Sequence, residues 1–297
     1  TVMLVKVFSK SANQPNHKKA LEYFFEGLSN DSSISSELSA ETVYSDCDVA
    51  IFFGSWKNRR KREHHRIKLD ILEKHNKPFI MLETPLLGRE ITENHSHYRI
   101  GVNHFLADEG NFNNNNRSQD RWNILSQRLN LTLEDYKTGG NTILVALQLP
   151  GDASLRGIDI VDWARETAKE IRKYTDRQII FRPHPGHKQR SDLKKLTEIE
   201  NSKISKNTLR KDLEDALASV TYTSGMAVDS LLAGVPCFAM DSGSFVYDLM
   251  GSDLSNIENP PKPDRIQWIN NLSYCQWSME EIQEGLPWNH LKEVVNI

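Results

Sequence analysis

The sequence predicts an α/β protein built from two Rossmann-like, doubly wound parallel-sheet lobes. Short apolar runs of strand length alternate with segments of helical periodicity, and this alternation occurs twice along the chain. The flexible segment Lys137–Asn141, with its Gly-Gly pair, separates the two series. A chain of 297 residues is long enough for each lobe to bury its own core. We therefore expect one lobe at residues 1–138 and a second at 139–297.

The first series begins with a strand and then a helix. The remaining segments are strands at 47–55 and 77–85, a helix at 62–75, an apolar run at 98–106 and a helix at 120–130. The Asn-rich stretch 111–116 predicts a long surface loop.

The second series has four strand patterns separated by helical patterns. Strands are expected at 142–149, 178–183, 219–223 and 236–240, and helices at 158–174, after His187, at 210–217 and at 225–234. The tail from Asp264 carries two amphipathic stretches, which we expect to close the second lobe rather than to form a third domain.

The composition is that of a globular protein rather than a disordered or membrane protein. The chain is 38% hydrophobic and 26% charged, with a mean hydropathy of -0.56. No apolar stretch approaches the length of a membrane span and no signal peptide pattern opens the sequence, so we expect a cytoplasmic protein. Cys47, Cys237 and Cys275 are too widely spaced for a zinc motif and predict packed, reduced thiols.

Polar residues follow three strands of the second series, where a parallel sheet collects its ligand-binding loops. The candidate residues that share this position are Gln148, Gly151, Asp152, Ser154, Arg182, His184, Thr223, Ser224, Gly225 and Asp229. Hydroxyls and backbone N–H groups at 223–225 can bind phosphate at a helix start, Arg182 can contact phosphate oxygens, and His184 can donate to a departing diphosphate. Separately, each feature also fits a structural role as a helix cap or a turn.

The same segments carry a family resemblance. Arg182–Pro185, followed by TSGMAVDSLLAGVPCFAM at 223–240, resembles the C-terminal lobe of bacterial capsule polysaccharide biosynthesis proteins and related GT-B sugar transferases, and 274–285 is similar to their closing segment. The resemblance covers about residues 142–285. It implies two lobes facing a cleft, with a nucleotide sugar bound by the C-terminal lobe and the acceptor mainly by the N-terminal lobe. Asp229 stands where that pattern commonly has Glu, which weakens its assignment.

A transfer to a hydroxyl with inversion needs a base for the acceptor proton. Asp108, which follows an apolar run and is expected at a strand end, is the first candidate, and Glu83 is the second. Two solvated loop acids, or a retaining mechanism without such a base, are the alternatives. Arg182 and backbone amides can replace a metal in stabilising the diphosphate, and we expect no metal site. Asp46 and Asp48 have metal-ligand spacing but precede an apolar strand, which favours a structural role.

A dense basic run lies between 57 and 68. Its candidate acceptor contacts are Lys57, Arg59, Arg60, Lys61, Arg62 and His65, and they indicate a polyanionic acceptor even though the net charge is -3. Hydroxymethylated bases of DNA, as in phage enzymes with a two-lobed GT-B form, are one candidate, which would place the protein in the host cytoplasm. An anionic capsule or lipopolysaccharide chain is another. A solvated helix face is the structural alternative.

The favoured function is therefore a metal-independent glycosyltransferase that uses a nucleotide sugar, UDP- or CMP-linked, and has no further cofactor. A nucleotide-sugar epimerase and a non-catalytic nucleotide or nucleic-acid binding protein are the alternatives from other classes. The fate of the donor distinguishes the three functions. A transferase slowly hydrolyses it, an epimerase interconverts its sugar, and a binding protein leaves it intact. The sequence leaves the sugar, the stereochemistry and the oligomeric state open.

Overall fold

The computed structural model describes residues 1–89 and 96–295. Contacts divide the chain into two compact units: Thr1–Leu125 with Ile269–Ile297, and Ser126–Trp268. This division differs from the boundary expected after residue 138, because it falls within a helix upstream of the Gly-Gly segment and assigns the tail to the first unit.

The strands in chain order are β1 (Met3–Phe8), β2 (Ile34–Ser39), β3 (Val49–Phe53), β4 (Phe79–Glu83), β5 (His97–Val102), β6 (Thr142–Ala146), β7 (Gln178–Arg182), β8 (Ser202–Ile204), β9 (Ala216–Thr221), β10 (Cys237–Ala239) and β11 (Gln276–Ser278). The helices are α1 (Pro15–Leu28), α2 (Glu63–Lys74), α3 (Asp120–Arg128), α4 (Ile160–Arg172), α5 (Arg190–Leu193), α6 (Leu209–Asp215), α7 (Met226–Leu232), α8 (Tyr247–Met250), α9 (Ile266–Leu272), α10 (Met279–Gln283) and α11 (Leu286–Val295).

The sheet of the first unit has the order β11-β5-β4-β3-β1-β2. β1 to β4 are parallel, as predicted, and β3 is buried along its whole length, as expected of a central strand covered on both faces. β5 runs antiparallel to β4, and β11 runs antiparallel to β5. The prediction of parallel sheets is therefore confirmed with one reversed strand near the edge of this sheet.

The C-terminal tail completes the first unit through a buried ion pair. Arg121 of α3 donates from Nη1 to Oε2 of Glu281 at 2.6 Å, and its guanidinium lies 3.9 Å from the ring centroid of Trp277. Glu281 also accepts the backbone N–H of Ser278 in a capping box at the start of α10. These contacts explain why the tail closes the first unit, whereas the sequence analysis expected it to close the second lobe.

The sheet of the second unit has the order β10-β9-β6-β7-β8 with every pair parallel. Its central strand, β6, is fully buried. The chain runs outward from β6 through β7 to β8 and then returns to the other side of β6 as β9. The strand order therefore reverses between β6 and β9, which is the topological switch point where open α/β sheets bind ligands.

The Asn-rich loop is present and is anchored by its own side chains. Asn113 donates to the carbonyl of His290 at 2.8 Å, and Asn113 and Asn116 adopt left-handed backbone conformations that Asn tolerates well. The three cysteines are buried and form no disulfide, as expected. Among the described residues, no helix combines the length and the apolar character needed to span a bilayer.

Candidate functional site

The carboxyl edge of the second sheet collects the predicted segments. In the register of the sheet, Ala146 of β6 lies opposite Arg182 of β7, and Val145 lies opposite Val220 of β9. The strands therefore end close to one level, and the loops that follow β6, β7, β9 and β10 emerge side by side. Gln148 and Thr223 come from the two strands that flank the switch point.

Gln148, Ser154 and Thr223 form a hydrogen-bond network across the switch point. The Gln148 amide donates to the hydroxyls of Ser154 and Thr223, both at 2.8 Å, and accepts the N–H of Thr223 at 3.0 Å. Thr223 in turn donates its hydroxyl to the Ser154 carbonyl at 2.8 Å. Gln148 and Thr223 are buried, and both hydrogens of the Gln148 amide are used. These three side chains therefore hold the loops after β6 and β9 in place. The sequence patterns did not distinguish this role from contact with a ligand.

Open backbone donors lie next to this network. Among residues 1–89 and 96–295, the N–H groups of Ser224 and Gly225 donate to no other group. Gly151 is exposed, has a left-handed φ of 77° and would present an added Cβ to open space. Asp152, by contrast, accepts the N–H of Ser154 at 2.9 Å and shapes its loop. The predicted turn from β9 into α7 is present, with Asp229 half-buried on α7.

Arg182 at the end of β7 is paired with a buried carboxylate. Its Nη1 donates to Oδ2 of Asp212 at 3.1 Å and to the carbonyl of Asn207 at 2.7 Å. The Asp212 side chain is only 2% exposed, whereas that of Arg182 is 26% exposed. No hydrogen bond within the described residues uses Nε or Nη2 of Arg182. The residue therefore stabilises the loop before α6 and retains two groups for a ligand.

His184 has a tautomer that suits donation. Its Nδ1 accepts the backbone N–H of Gly186 at 2.9 Å, so the proton of the neutral ring lies on Nε2. The nearby His187 is 2% exposed and contacts the Gln189 carbonyl through Nε2 at 3.1 Å. Of the two, the half-buried His184 is the one suited to donate to a bound anion.

A further cation at this edge was missed by the sequence analysis. Arg156 follows the Ser154 loop and has a left-handed φ of 51°. Its Nη1 lies 2.7 Å from Oδ2 of Asp241, which comes after β10 and also accepts the N–H of Gly243 at 2.9 Å. Two polar residues separated by 85 positions give no local signal for this pair. The only hint was that Asp241 directly follows the strand predicted at 236–240.

The two predicted bases in the first unit occupy different surroundings. Glu83 ends β4 and is buried, with Oε2 accepting the N–H of Ser55 at 2.6 Å and Oε1 accepting that of Thr84 at 2.8 Å. Asp108 is exposed in a turn. Its predicted position at a strand end is wrong, because β5 ends at Val102.

The basic run divides into an exposed loop and a helix. We call residues 57–62 the basic loop, in which Arg59, Arg60, Lys61 and Arg62 are exposed. Arg60 pairs with Glu73 at 3.1 Å, whereas no ion pair involving the other three occurs in the described part of the chain. Burial and the neighbouring cations lower the pKa of His65 to about 4. His65 is therefore neutral at pH 7 and adds no charge to this surface.

Comparison with known proteins identifies the fold. The chain matches no family model and no curated protein. It is similar to a solved structure of Thermosulfurimonas dismutans KpsC, a β-Kdo 2,7 transferase, with a TM-score of 0.51 and 15% identity over 97% of this chain and 99% of that chain. It is also similar to the KpsC β-Kdo 2,4 transferase of the same organism, with a TM-score of 0.53 and 14% identity over 94% and 92% of the two chains.

The chain has a GT-B-like fold. This confirms the fold expected from the resemblance to capsule polysaccharide proteins. At such low identity the likeness concerns the architecture alone, so the positions of the reacting groups depend on the geometry described above.

Proposed function

We propose that this protein is a glycosyltransferase that moves a sugar from a nucleotide sugar to a hydroxyl of an anionic polysaccharide of the capsule or lipopolysaccharide type. The observation that carries the proposal is the carboxyl edge of the second sheet. There, open backbone N–H groups at Ser224 and Gly225 lie in a loop fixed by Gln148 at the switch point. The two KpsC structures with the same fold, both described as Kdo transferases, support this reaction class.

The phosphate groups of the donor would accept hydrogen bonds at this edge. The Ser224 and Gly225 N–H groups and the unused groups of Arg182 would take up the negative charge that develops on the leaving phosphate, which is a diphosphate in a UDP-sugar and a monophosphate in a CMP-sugar. His184 donates from Nε2, and Arg156, held by Asp241, adds a second cation. We assign Asp229 to the ribose or the sugar. Gln148, Ser154 and Thr223 position these groups without contacting the donor directly.

The acceptor would bind to the first unit. Arg59, Lys61 and Arg62 present positive charge to solvent, which favours a polyanion. Neither KpsC structure is described as an enzyme that acts on DNA, so the anionic polysaccharide is the better supported of the two acceptors from the sequence analysis. Asp108, whose carboxylate is exposed, is the proposed base.

Thermal denaturation with a panel of UDP- and CMP-sugars, followed by mass spectrometry with anionic oligosaccharides, tests the proposal. A donor at 100 times its Kd should stabilise the protein by about 2.7 kcal/mol, and the same donor should transfer its sugar. Interconversion of the donor sugar without transfer would indicate an epimerase. Binding with neither transfer nor hydrolysis would indicate a non-catalytic protein, and a panel without any stabilising nucleotide sugar would overturn the proposal.

Transfer is expected to persist in excess EDTA. Arginine side chains and backbone N–H groups supply the positive charge that Mg²⁺ supplies in other transferases, so chelation should change the initial rate by less than about twofold. The rate is measured with the best donor of the panel, before and after dialysis against EDTA. A complete loss that Mg²⁺ alone restores would contradict this expectation.

A further inference from the structure

Lys68 is a buried ammonium group in the first unit. It lies on α2, is 4% exposed, and donates from Nζ to the carbonyl of Ser55 at 3.2 Å. Nζ also lies 6.0 Å from the ring centroid of Phe53. Within the described residues it makes no other hydrogen bond and no ion pair shorter than 4 Å. Burying a charge with so few partners costs free energy, so a lysine at this position needs an explanation.

The carboxylate of Glu83 binds the backbone of Ser55 as well, at its N–H group. Oε2 of Glu83 accepts the N–H of Ser55 at 2.6 Å, while Lys68 binds the Ser55 carbonyl. Gly54 makes this possible, because its φ of 79° is left-handed and an added Cβ would lie 3.2 Å from the Lys68 Nζ. Two opposite charges thus hold the N–H and the C=O of Ser55, two residues after the end of β3.

Ser55 lies two residues before the basic loop, whose first residue has a contact of its own: the backbone N–H of Lys57 donates to Nδ1 of His65 at 3.3 Å. Trp56 follows Ser55 and contacts His104 and Phe105 edge to face, with ring centroids 5.6 and 6.0 Å apart. The basic loop begins with the next residue. The orientation of Trp56 and of the first loop cations therefore depends on how Ser55 is held, together with the contact between Lys57 and His65.

We propose that Lys68 and Glu83 are positioning residues, which clamp Ser55 between opposite charges and so hold Trp56 and the basic loop in the arrangement that binds an anionic polysaccharide. This inference rests on the proposed function for its acceptor and on the local geometry for the clamp. Glu83 then acts through Ser55 and is not the base that removes the acceptor proton.

The charge of Lys68 makes the clamp sensitive to pH. Burial lowers the pKa of Lys68 to about 8, and the charge of Glu83 opposes this decrease. Burial also lowers the pKa values of His64 and His65 on the same helix. The further charged groups on α2 and on the 9–11 turn packed against it are Glu63, Arg66, Asp70, Glu73, Lys74 and Lys10. Above pH 8 the neutral amine loses its attraction to Glu83, and the clamp weakens. Because the unfolded chain binds this proton up to its ordinary pKa of 10.5, the contribution of Lys68 to global stability increases with pH between 8 and 10.5. A local loosening that keeps Lys68 buried but breaks its attraction to Glu83 therefore becomes easier as pH rises, whereas global unfolding, which exposes Lys68, becomes harder.

Limited proteolysis tests the clamp without donor or acceptor. Trypsin cleaves after Lys and Arg, and the basic loop offers several such sites. Relative to a free peptide of residues 55–66, cleavage within this loop should accelerate about tenfold from pH 7 to pH 9.5, as the charged fraction of Lys68 falls from roughly nine-tenths to a few hundredths. Lys68→Met should be cleaved rapidly at both pH values and Lys68→Arg slowly at both. Lys74→Met, which removes an exposed charge from the same helix, should behave as the native protein does.

Binding of fluorescein-labelled polygalacturonate tests the link to the acceptor. Lys68→Met should weaken this binding at least fivefold at pH 7 while Lys74→Met leaves it unchanged. If Lys68→Arg unfolds, as thermal denaturation would show, Glu83→Gln replaces it and should accelerate cleavage at pH 7. A folded Lys68→Met protein with native cleavage rates would overturn the clamp. Rapid cleavage with native polygalacturonate affinity would overturn its acceptor role and leave the transferase proposal standing.

Discussion

Arg182→Ala is expected to weaken nucleotide-sugar binding by about 10-fold to 150-fold, which corresponds to the loss of about 1.5–3 kcal/mol for a charge-assisted hydrogen bond. The Nη1 group already binds Asp212 and the Asn207 carbonyl, so the expected loss comes from the remaining guanidinium groups. The same substitution leaves the buried Asp212 carboxylate without its cation and should lower the free energy of unfolding by about 2 kcal/mol. Calorimetric titration with the donor and thermal denaturation measure the two effects separately.

Two further variants separate binding from stability at this position. Arg182→Lys keeps a charge for Asp212 but loses the planar fork, so it should retain most of the stability and lose donor affinity. Asp212→Asn removes the partner and keeps the arginine, so it should lose stability and retain donor affinity. Native affinity in a folded Arg182→Lys protein would show that Arg182 serves the fold alone.

Sequence patterns predicted the parts of this fold that depend on burial. β3 and β6 are continuous apolar runs, and both are buried central strands. β2 was missed because its sequence, ISSELS, is mostly polar and lies at a sheet edge. The direction of β5 was missed because periodicity carries no information about strand direction. β11 has three residues, too few for any periodic signal.

The location of the candidate site was also predictable, but the roles within it were not. Parallel strands end at one edge, so Gln148, Arg182 and Thr223 could be placed together from their positions after strands. Whether a side chain faces a ligand or the protein depends on partners far along the chain. Gln148 and Thr223 are 75 positions apart, and Arg182 and Asp212 are 30 apart. No local pattern records such pairs, which is why the sequence could not distinguish a positioning network from a set of ligand contacts.

Substitution of the basic loop tests whether the loop binds a polyanionic acceptor or is only a solvated surface. Changing Arg59, Arg60, Lys61 and Arg62 together to Ser should raise the KM for an anionic polysaccharide about tenfold or more, since each exposed ion pair changes affinity by a factor of roughly two to five. Hydrolysis of the donor without acceptor should stay near the native rate, because none of these residues belongs to the loops at the carboxyl edge of the second sheet. Arg60 should contribute least, because it is paired with Glu73.

Salt and a matched control complete the test of the basic loop. Exposed charges are screened within about 8 Å at physiological ionic strength, so native KM should rise with salt and the quadruple variant should show a flatter response. The control changes four exposed lysines elsewhere, Lys18, Lys203, Lys206 and Lys211, to Ser and alters the net charge equally. If the control raises KM as much as the loop variant, the effect belongs to net charge and not to the loop. If neither variant changes KM or its salt dependence, the basic loop is a solvated surface, and the acceptor must be recognised by uncharged contacts.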